Sequence, residues 1–299
     1  MPSIDCKRLQ KLAPKSPENQ SKCISRLRYM VMLDQVESDE GGNSSTRPYV
    51  WAVLLNAPPR NADEYIRYVR QGPSPMAQKI QNDVSRTLVV ESQFHSRVSQ
   101  SSLSRLLNAY VWKRGALYVQ GMNVLASPFL YACKSENQAF QFFDRLLQNE
   151  CPLYVLPNID GVHRGAKLLD KCLEVLDHRL YTYLLSKGLT AKIYALPSIL
   201  TLSACTAPLS EALTIWDFLF AYGIHLNILC VIAQMFIFRE QLIDHPSPMT
   251  LLRTFPPLNA KNIMKITILL ISKLPPELYN LLARHAWDSE AGVLIDRLT

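Results

Sequence analysis

In Leu103-Ser104-Arg105-Leu106-Leu107-Asn108-Ala109-Tyr110-Val111 the large apolar side chains fall at i, i+3, i+4, i+7 and i+8. That spacing lines one face of a helix and does not fit the strict alternation of a half-buried strand. Moving outward, helical signals recur and strand signals are nearly absent. Pro17 and Glu18 open a helix expected to run to Gln35, and the polar run 37–46 reads as a linker. Further helices are predicted over 47–55, 62–70, 76–89, 119–131, 136–148, 166–185, 192–203, 211–222, 227–242, 262–274 and 276–284. Pro48 is tolerated in a first turn. Pro58-Pro59 and Gln71-Gly72-Pro73-Ser74-Pro75 break the pattern, and Gly161 and Gly188 bracket the longest helix. The expected fold class is all-α. Its parts are an N-terminal helix and polar linker (1–46), a first helical lobe (47–160) and a second (161–299).

Composition narrows the function classes. With 299 residues, 48% hydrophobic and 19% charged, the chain is long enough for a substantial core and is not a disordered polymer. The formal charge of +7 is moderate. Part of it sits early, in Lys7, Arg8, Lys11, Lys15, Lys22, Arg26 and Arg28, and reads as a solvated arm. No interleaved aromatic and basic string supports a nucleic-acid partner. The seven cysteines include no Cys-x-x-Cys pair, so reduced, buried thiols are expected. The apolar segment 224–238 is interrupted by His225, Asn227 and Gln234. It is too short for a membrane span and reads as a helix buried nearly all round. The start lacks the apolar stretch of a secretory signal, and a cytoplasmic setting is expected.

Three common chemistries lack their signatures. The six histidines show no paired ligand spacing, so no metal is expected. Gly-x-Ser-x-Gly is missing, and no cysteine has a basic neighbour that would activate it. With 10 glycines and neither a P-loop nor Gly-x-Gly-x-x-Gly, no nucleotide cradle is visible.

Two strings remain. Ile80-Gln81-Asn82-Asp83-Val84-Ser85-Arg86-Thr87 sets one arginine a helical turn after an acid, and Tyr118-Val119-Gln120-Gly121-Met122-Asn123 sets a glutamine before a glycine. Alone, the first is an ordinary surface ion pair worth under ~1 kcal/mol, and the second a loop entering a helix. Together, a permanently charged planar guanidinium and a neutral donor–acceptor amide suit another task. They can stabilise charge on a phosphoryl group in transfer and orient the attacking water. With no phosphate cradle in the chain, the nucleotide is expected to belong to a partner.

The ordered series adds a resemblance. Arg47-x-x-Val50-Trp51-x-x-Leu54-Leu55, Ile80-x-x-Asp83-x-x-Arg86-Thr87, Tyr118-x-Gln120-Gly121-Met122-Asn123 and Trp216-Asp217-x-x-Phe220-x-x-Gly223 resemble the TBC domain of Rab-type GTPase-activating proteins. The resemblance runs from about Arg47 to at least Phe238. It implies an all-helical domain of two lobes and a Ras- or Rab-like small GTPase as partner. The chain would need no cofactor of its own, because GTP and Mg²⁺ arrive with the GTPase. Its part is that of an activator completing a foreign active site, with no catalytic activity in isolation. On matching positions, Arg86 is the arginine finger and Gln120 the second finger, which takes over the water-orienting role. Asp83 would orient Arg86, and Tyr118 and Gly121 would shape the loop that presents Gln120. Arg47, Trp51, Trp216 and Asp217 would be scaffold residues.

Two segments depart from the family pattern. Leu88-Val89-Val90-Glu91 replaces the usual Phe-Pro continuation, and 196–205 lacks the aromatics and basic residue common in vesicle-traffic members. Both bear on which GTPase is recognised and leave the finger positions untouched. The run 216–230 is similar to that of small fungal members that restrain mitotic exit and septation from the spindle pole. That likeness implies one half of a two-part activator working with a scaffold subunit, recruited to the spindle pole body. A non-catalytic module that binds or localises a GTPase, or an activator in vesicle traffic, are the alternative readings.

Overall fold

The computed structural model describes residues 3–12, 20–39, 41–42, 44–57, 61–115 and 117–298. The expected helix start at Pro17 and the break at Pro58-Pro59 lie outside the described residues. Among those described, the chain is helical with one minimal parallel pairing between β1 (Ser3–Ile4) and β2 (Gln35–Val36). The helices run α1 (Cys6–Leu12), α2 (Gln20–Leu33), α3 (Arg47–Leu54), α4 (Asp63–Val69), α5 (Ala77–Val84), α6 (Ser92–Arg97), α7 (Gln100–Arg114), α8 (Met122–Ala132) and α9 (Glu136–Arg145). A π-helical turn (Leu146–Glu150) and a 3₁₀ turn (Pro152–Tyr154) follow. Next come α10 (Asp160–Leu176), α11 (His178–Ser186), α12 (Ala191–Tyr194), α13 (Leu196–Leu200) and α14 (Leu209–Tyr222). The remaining helices are α15 (Leu226–Ile237), α16 (Arg239–Asp244), α17 (Met249–Arg253), α18 (Ala260–Ile271), α19 (Pro276–Arg284) and α20 (Ser289–Asp296). The all-α expectation holds.

Two compact units emerge. The first joins Met1–Gln148 with Leu209–Tyr222, so α14 belongs to it although it lies far along the chain. The opening stretch forms α7, whose apolar positions are buried as their spacing requires. Helices α4, α5, α8 and α9 all touch α7, which explains why even Asn108 and Ala109 are covered. Ser99 caps its start by accepting the Ser102 amide at 3.1 Å, and Gly115 at φ +56° ends it.

The same unit is centred on an aromatic cluster from α3, α8 and α14. Ring centroids lie 5.5 Å apart for Trp51 and Phe129, 5.1 Å for Phe129 and Trp216, and 5.2 Å for Trp51 and Phe220. Beside it, the buried Arg47 donates through Nε to both Asp217 oxygens at 3.1 Å, and Trp51 Nε1 donates to Asp217 Oδ1 at 2.7 Å. Arg47 Nη1 also donates to the Gly42 carbonyl. Burial raises the Asp217 carboxyl, opposed by Arg47 and Trp51. Both Asp217 oxygens and the Trp51 indole N–H are paired here, which is what permits a charge pair inside a core.

Over residues 3–12 the basic N-terminal arm keeps Lys7 and Lys11 exposed, as expected, yet the segment is docked at one point. Ile4 is fully buried, and the short β1–β2 pairing fixes it. Arg8 spends its charge on Asp34 at 2.7 Å and on the Ser3 carbonyl at 2.7 Å. Hydrophobic anchoring of one isoleucine, invisible in the charge pattern, docks the segment.

The second unit comprises Asn149–Pro208 and Gly223–Thr299. Helix α10 is its hub, touching α11, α12, α13, α15, α19 and α20. Helix α15 is buried from Leu226 to Met235, as its apolar run predicts. Three expected helices are split. Asp177 leaves helical geometry at φ −153° and caps α11 through Leu180 N at 3.0 Å, dividing 166–185. Pro197, which lacks an N–H, stands at the start of α13 and divides 192–203. Phe238 breaks 227–242 between α15 and α16. The seven thiols are free; Cys151, Cys172 and Cys230 are buried, whereas Cys6 and Cys205 are exposed, contrary to expectation.

Candidate functional site

Helix α5 buries Ile80, Asp83 and Val84 and leaves Gln81 and Asn82 to solvent. Its last turn tightens into i→i+3 bonds, from Arg86 N to Asp83 O at 3.2 Å and from Thr87 N to Val84 O at 3.3 Å. Leu88 then takes a left-handed conformation at φ +46°, which stops the helix short of the expected residue 89. Arg86 therefore stands on a turn and not on a continuous helix. Its side chain is 61% exposed while that of Asp83 is 7% exposed.

That difference in burial defines the pair. Arg86 donates to Asp83 Oδ1 through Nη2 at 2.5 Å and Nε at 3.2 Å. The other carboxylate oxygen accepts the Tyr118 hydroxyl at 2.8 Å. Asp83 is thus fixed from behind by Tyr118 and holds the root of the guanidinium in front. Nη1 of Arg86 has no partner among the described residues. Burial, then the hydrogen bond and charge of Asp83, push the Tyr118 phenol well above its ordinary value, so it stays a proton donor.

Tyr118 leads within two residues to Gln120, exposed on the turn before α8. Among the described residues the Gln120 carboxamide has no hydrogen-bond partner. Gly121, the N-cap residue of α8, sits at φ +101°, a value that glycine adopts without a Cβ penalty. The strain-free reversal there lets the chain present Gln120 outward and enter α8 at once.

Four of the five sequence-predicted site residues, Asp83, Arg86, Tyr118 and Gly121, meet in one network; Gln120 stands free beside it. Arg47, Trp51, Trp216 and Asp217 lie in the core of the same unit. Sequence reasoning gave no role to Thr87 and Asn123. Thr87 Oγ1 donates to the Asp83 carbonyl at 2.8 Å, and Asn123 Nδ2 donates to Thr87 Oγ1 at 2.9 Å and more weakly to Asp83 O at 3.3 Å. Asn123 Oδ1 accepts the Gly121 amide at 3.2 Å and lies 3.2 Å from the Tyr118 hydroxyl. Both residues were inside the two strings. Only the third dimension brings them together across 36 positions.

Chemically, the arrangement offers an anchored cation and an unengaged amide on two exposed turns tied together beneath the surface. It presents positive charge and a donor–acceptor pair outward, with the carboxylate that tunes the cation kept inside.

Residues 44–243 match the family described as Rab-GTPase-TBC domain. The mitotic check point protein BUB2 of Saccharomyces cerevisiae is 38% identical over 284 residues, covering 89% of this chain and 93% of that protein. The putative mitotic check point protein BUB2 of Dictyostelium discoideum is 42% identical over 266 residues, covering 89% of this chain and 72% of that one. Among solved structures, the Ypt/Rab-GAP domain of Gyp1p superposes with a TM-score of 0.71 at 18% identity, over 89% of this chain and 97% of that domain, a likeness of fold. With its ordered motifs, helical architecture and these relatives in agreement, the chain belongs to the Rab-GTPase-TBC domain family.

Proposed function

We propose that this protein is a GTPase-activating protein that speeds GTP hydrolysis by a Ras- or Rab-like small GTPase through two side chains supplied in trans. Arg86 acts as the arginine finger, neutralising charge as the γ-phosphoryl group transfers, and Gln120 orients the attacking water. The observation that carries this reading is the disposition of Arg86. An exposed guanidinium is rooted on a buried aspartate that is itself locked by the tyrosine leading to Gln120. A surface ion pair made for stability has no use for such backing. An arginine delivered to a GTPase site raises the rate by roughly 10³ to 10⁵, or ~4 to ~7 kcal/mol off the barrier.

The protein carries no cofactor of its own in this account; GTP and Mg²⁺ belong to the partner. Two relatives at 38% and 42% identity bear the name mitotic check point protein, which supports a checkpoint role for this chain. In the fuller proposal it is the catalytic subunit of a two-component activator. Held at the spindle pole body with a scaffold subunit, it restrains mitotic exit and septation.

The test is single-turnover GTP hydrolysis by candidate Ras-like GTPases, with wild type or Arg86→Ala, each with and without a scaffold protein. Acceleration by wild type that the substitution abolishes supports the activator. Tight GTPase binding without acceleration by either protein identifies a binding module and overturns the proposal.

A further inference from the structure

We infer that Asn123 is a positioning residue that couples the two fingers, so that Arg86 and Gln120 are presented as one unit. The inference rests on the activator reading for its functional meaning; the coupling itself is a property of this chain alone. One carboxamide joins both segments. Its Nδ2 side holds the turn that carries Arg86, through Thr87 Oγ1 at 2.9 Å and Asp83 O at 3.3 Å. Its Oδ1 side holds the turn that carries Gln120, through the Gly121 amide at 3.2 Å, with the Tyr118 hydroxyl at the same distance.

The orientation of that amide is fixed by its neighbours. The Gly121 N–H can only donate and the Asp83 carbonyl can only accept, so Oδ1 must face the first and Nδ2 the second. Thr87 spends its own proton on the Asp83 carbonyl at 2.8 Å and therefore receives from Asn123. The Tyr118 proton goes to the nearer, charged acceptor, Asp83 Oδ2 at 2.8 Å. The result is a polar chain from Gly121 through Asn123 and Thr87 to Asp83, with Tyr118 on the other side of Asp83 and joined to Gly121 by the backbone of 118–121. Asn123, Thr87, Asp83 and Tyr118 are all buried, so an unmade bond in this chain of contacts is costly.

A linkage of this kind has a kinetic use. Both fingers must reach their stations in the same encounter, and misplacement by about 1 Å can cost roughly 10²-fold in rate. Asn123 also stands one position inside α8, which packs on α5, α7 and α9 within the first unit. The helix thereby sets the position of both turns. Aspartate at 123 keeps the shape but replaces the Nδ2 donor with an acceptor facing the Asp83 carbonyl. Valine at 87 keeps the volume and removes the hydroxyl, whereas serine restores it.

The experiment is residue-resolved amide hydrogen exchange on the full chain, followed by single-turnover hydrolysis with each Ras-like GTPase that wild type accelerates. Thr87→Val should raise exchange of the Gly121 and Met122 amides by about tenfold, the factor for one lost bond of ~1.4 kcal/mol. Asn123→Asp should do the same to the amides of 85–88, and Thr87→Ser should return 121–122 to the wild-type rate. In hydrolysis, Thr87→Val should lower the maximal rate about tenfold with the half-saturating concentration unchanged, again restored by serine. Exchange that rises at 84–88 but not at 121–122 in Thr87→Val overturns the coupling, as does full hydrolysis by that variant. Should wild type accelerate no GTPase, the activator reading fails, and the exchange result still decides the coupling. Thr87→Val serves as the second variant if Asn123→Asp does not fold.

Discussion

The Tyr118 hydroxyl donates to Asp83 Oδ2 at 2.8 Å, across 35 positions of sequence, while Oδ1 of the same carboxylate holds Arg86. This bond joins the two turns on which the proposed chemistry depends. It also makes the buried carboxylate tolerable, since each oxygen has a partner.

Tyr118→Phe removes that partner without changing the ring. A hydrogen bond to a charged group is worth about 1.5–3 kcal/mol, and that loss is expected in the unfolding free energy. Urea titration should show a lower midpoint with an unchanged slope. In the activator reading, GTP hydrolysis should fall by about 10- to 100-fold, because Arg86 loses the brace behind its anchor.

Asp217→Ala tests the core anchor. It strands the buried Arg47 guanidinium and the Trp51 indole N–H at once. Breaking one side of a buried pair costs about 3–5 kcal/mol, a large share of the stability of an ordinary domain. Thermal or chemical denaturation should show that loss, whereas Arg86→Ala should cost less, because the Arg86 side chain is exposed and water can take its place at Asp83 Oδ1.

Gly121→Ala probes the reversal before α8. An alanine at φ +101° pays roughly 1–2 kcal/mol of backbone strain, or relaxes and moves Gln120. Stability should fall by that amount and hydrolysis by more than the stability change explains. Comparison with Gln120→Ala in single-turnover kinetics checks whether the two losses overlap.

The second unit gives a pH prediction of mixed sign. His285 is buried and neutral: Nδ1 lies 2.6 Å from the Leu282 carbonyl, which can only accept, so Nε2 receives the Tyr154 hydroxyl at 2.8 Å. Burial lowers His285 to about 4, and burial with the neighbouring His285 lowers His225 to about 4. Both sit below their unfolded value, so the stability they lend is present above pH 6.5 and is lost as pH falls toward 4. Asp170 has the opposite sign. Burial raises it to about 6, partly offset by the Ala191 amide and Lys171, so its stability is present below 3.8 and is lost as pH rises through 6. Asp170→Asn should therefore steepen the rise of stability with pH between 4 and 6 by about 1.4 kcal/mol per pH unit. It should also leave the protein more stable than wild type at pH 7. Chemical denaturation at a series of pH values measures both.

What could be read from the sequence followed from local physics. The 3.6-residue period located α7 because its partners surround it, and the three-residue spacing paired Asp83 with Arg86. Helix breaks were harder. Asp177 and Phe238 interrupt stretches whose apolar period continues through them, and the interruption comes from capping and packing rather than composition. Short helices such as α6 and α17 carry too few residues for a period to register. At the candidate site, the residues were legible but the wiring was not. Nothing in the spacing of Tyr118 or Asn123 says that their partners lie 35 and 36 positions earlier. Burial of Ile4 likewise outweighs the basic charge around it, which a count of lysines and arginines does not reveal.

The most direct measurement is a structure of the protein bound to an activated Ras-like GTPase, trapped with GDP and aluminium fluoride. The account predicts the Arg86 guanidinium within hydrogen-bond distance of the planar fluoride and the β–γ bridging oxygen, with the Gln120 carboxamide on the in-line water. Either side chain turned away from the nucleotide, with the GTPase's own residues filling both stations, would contradict it.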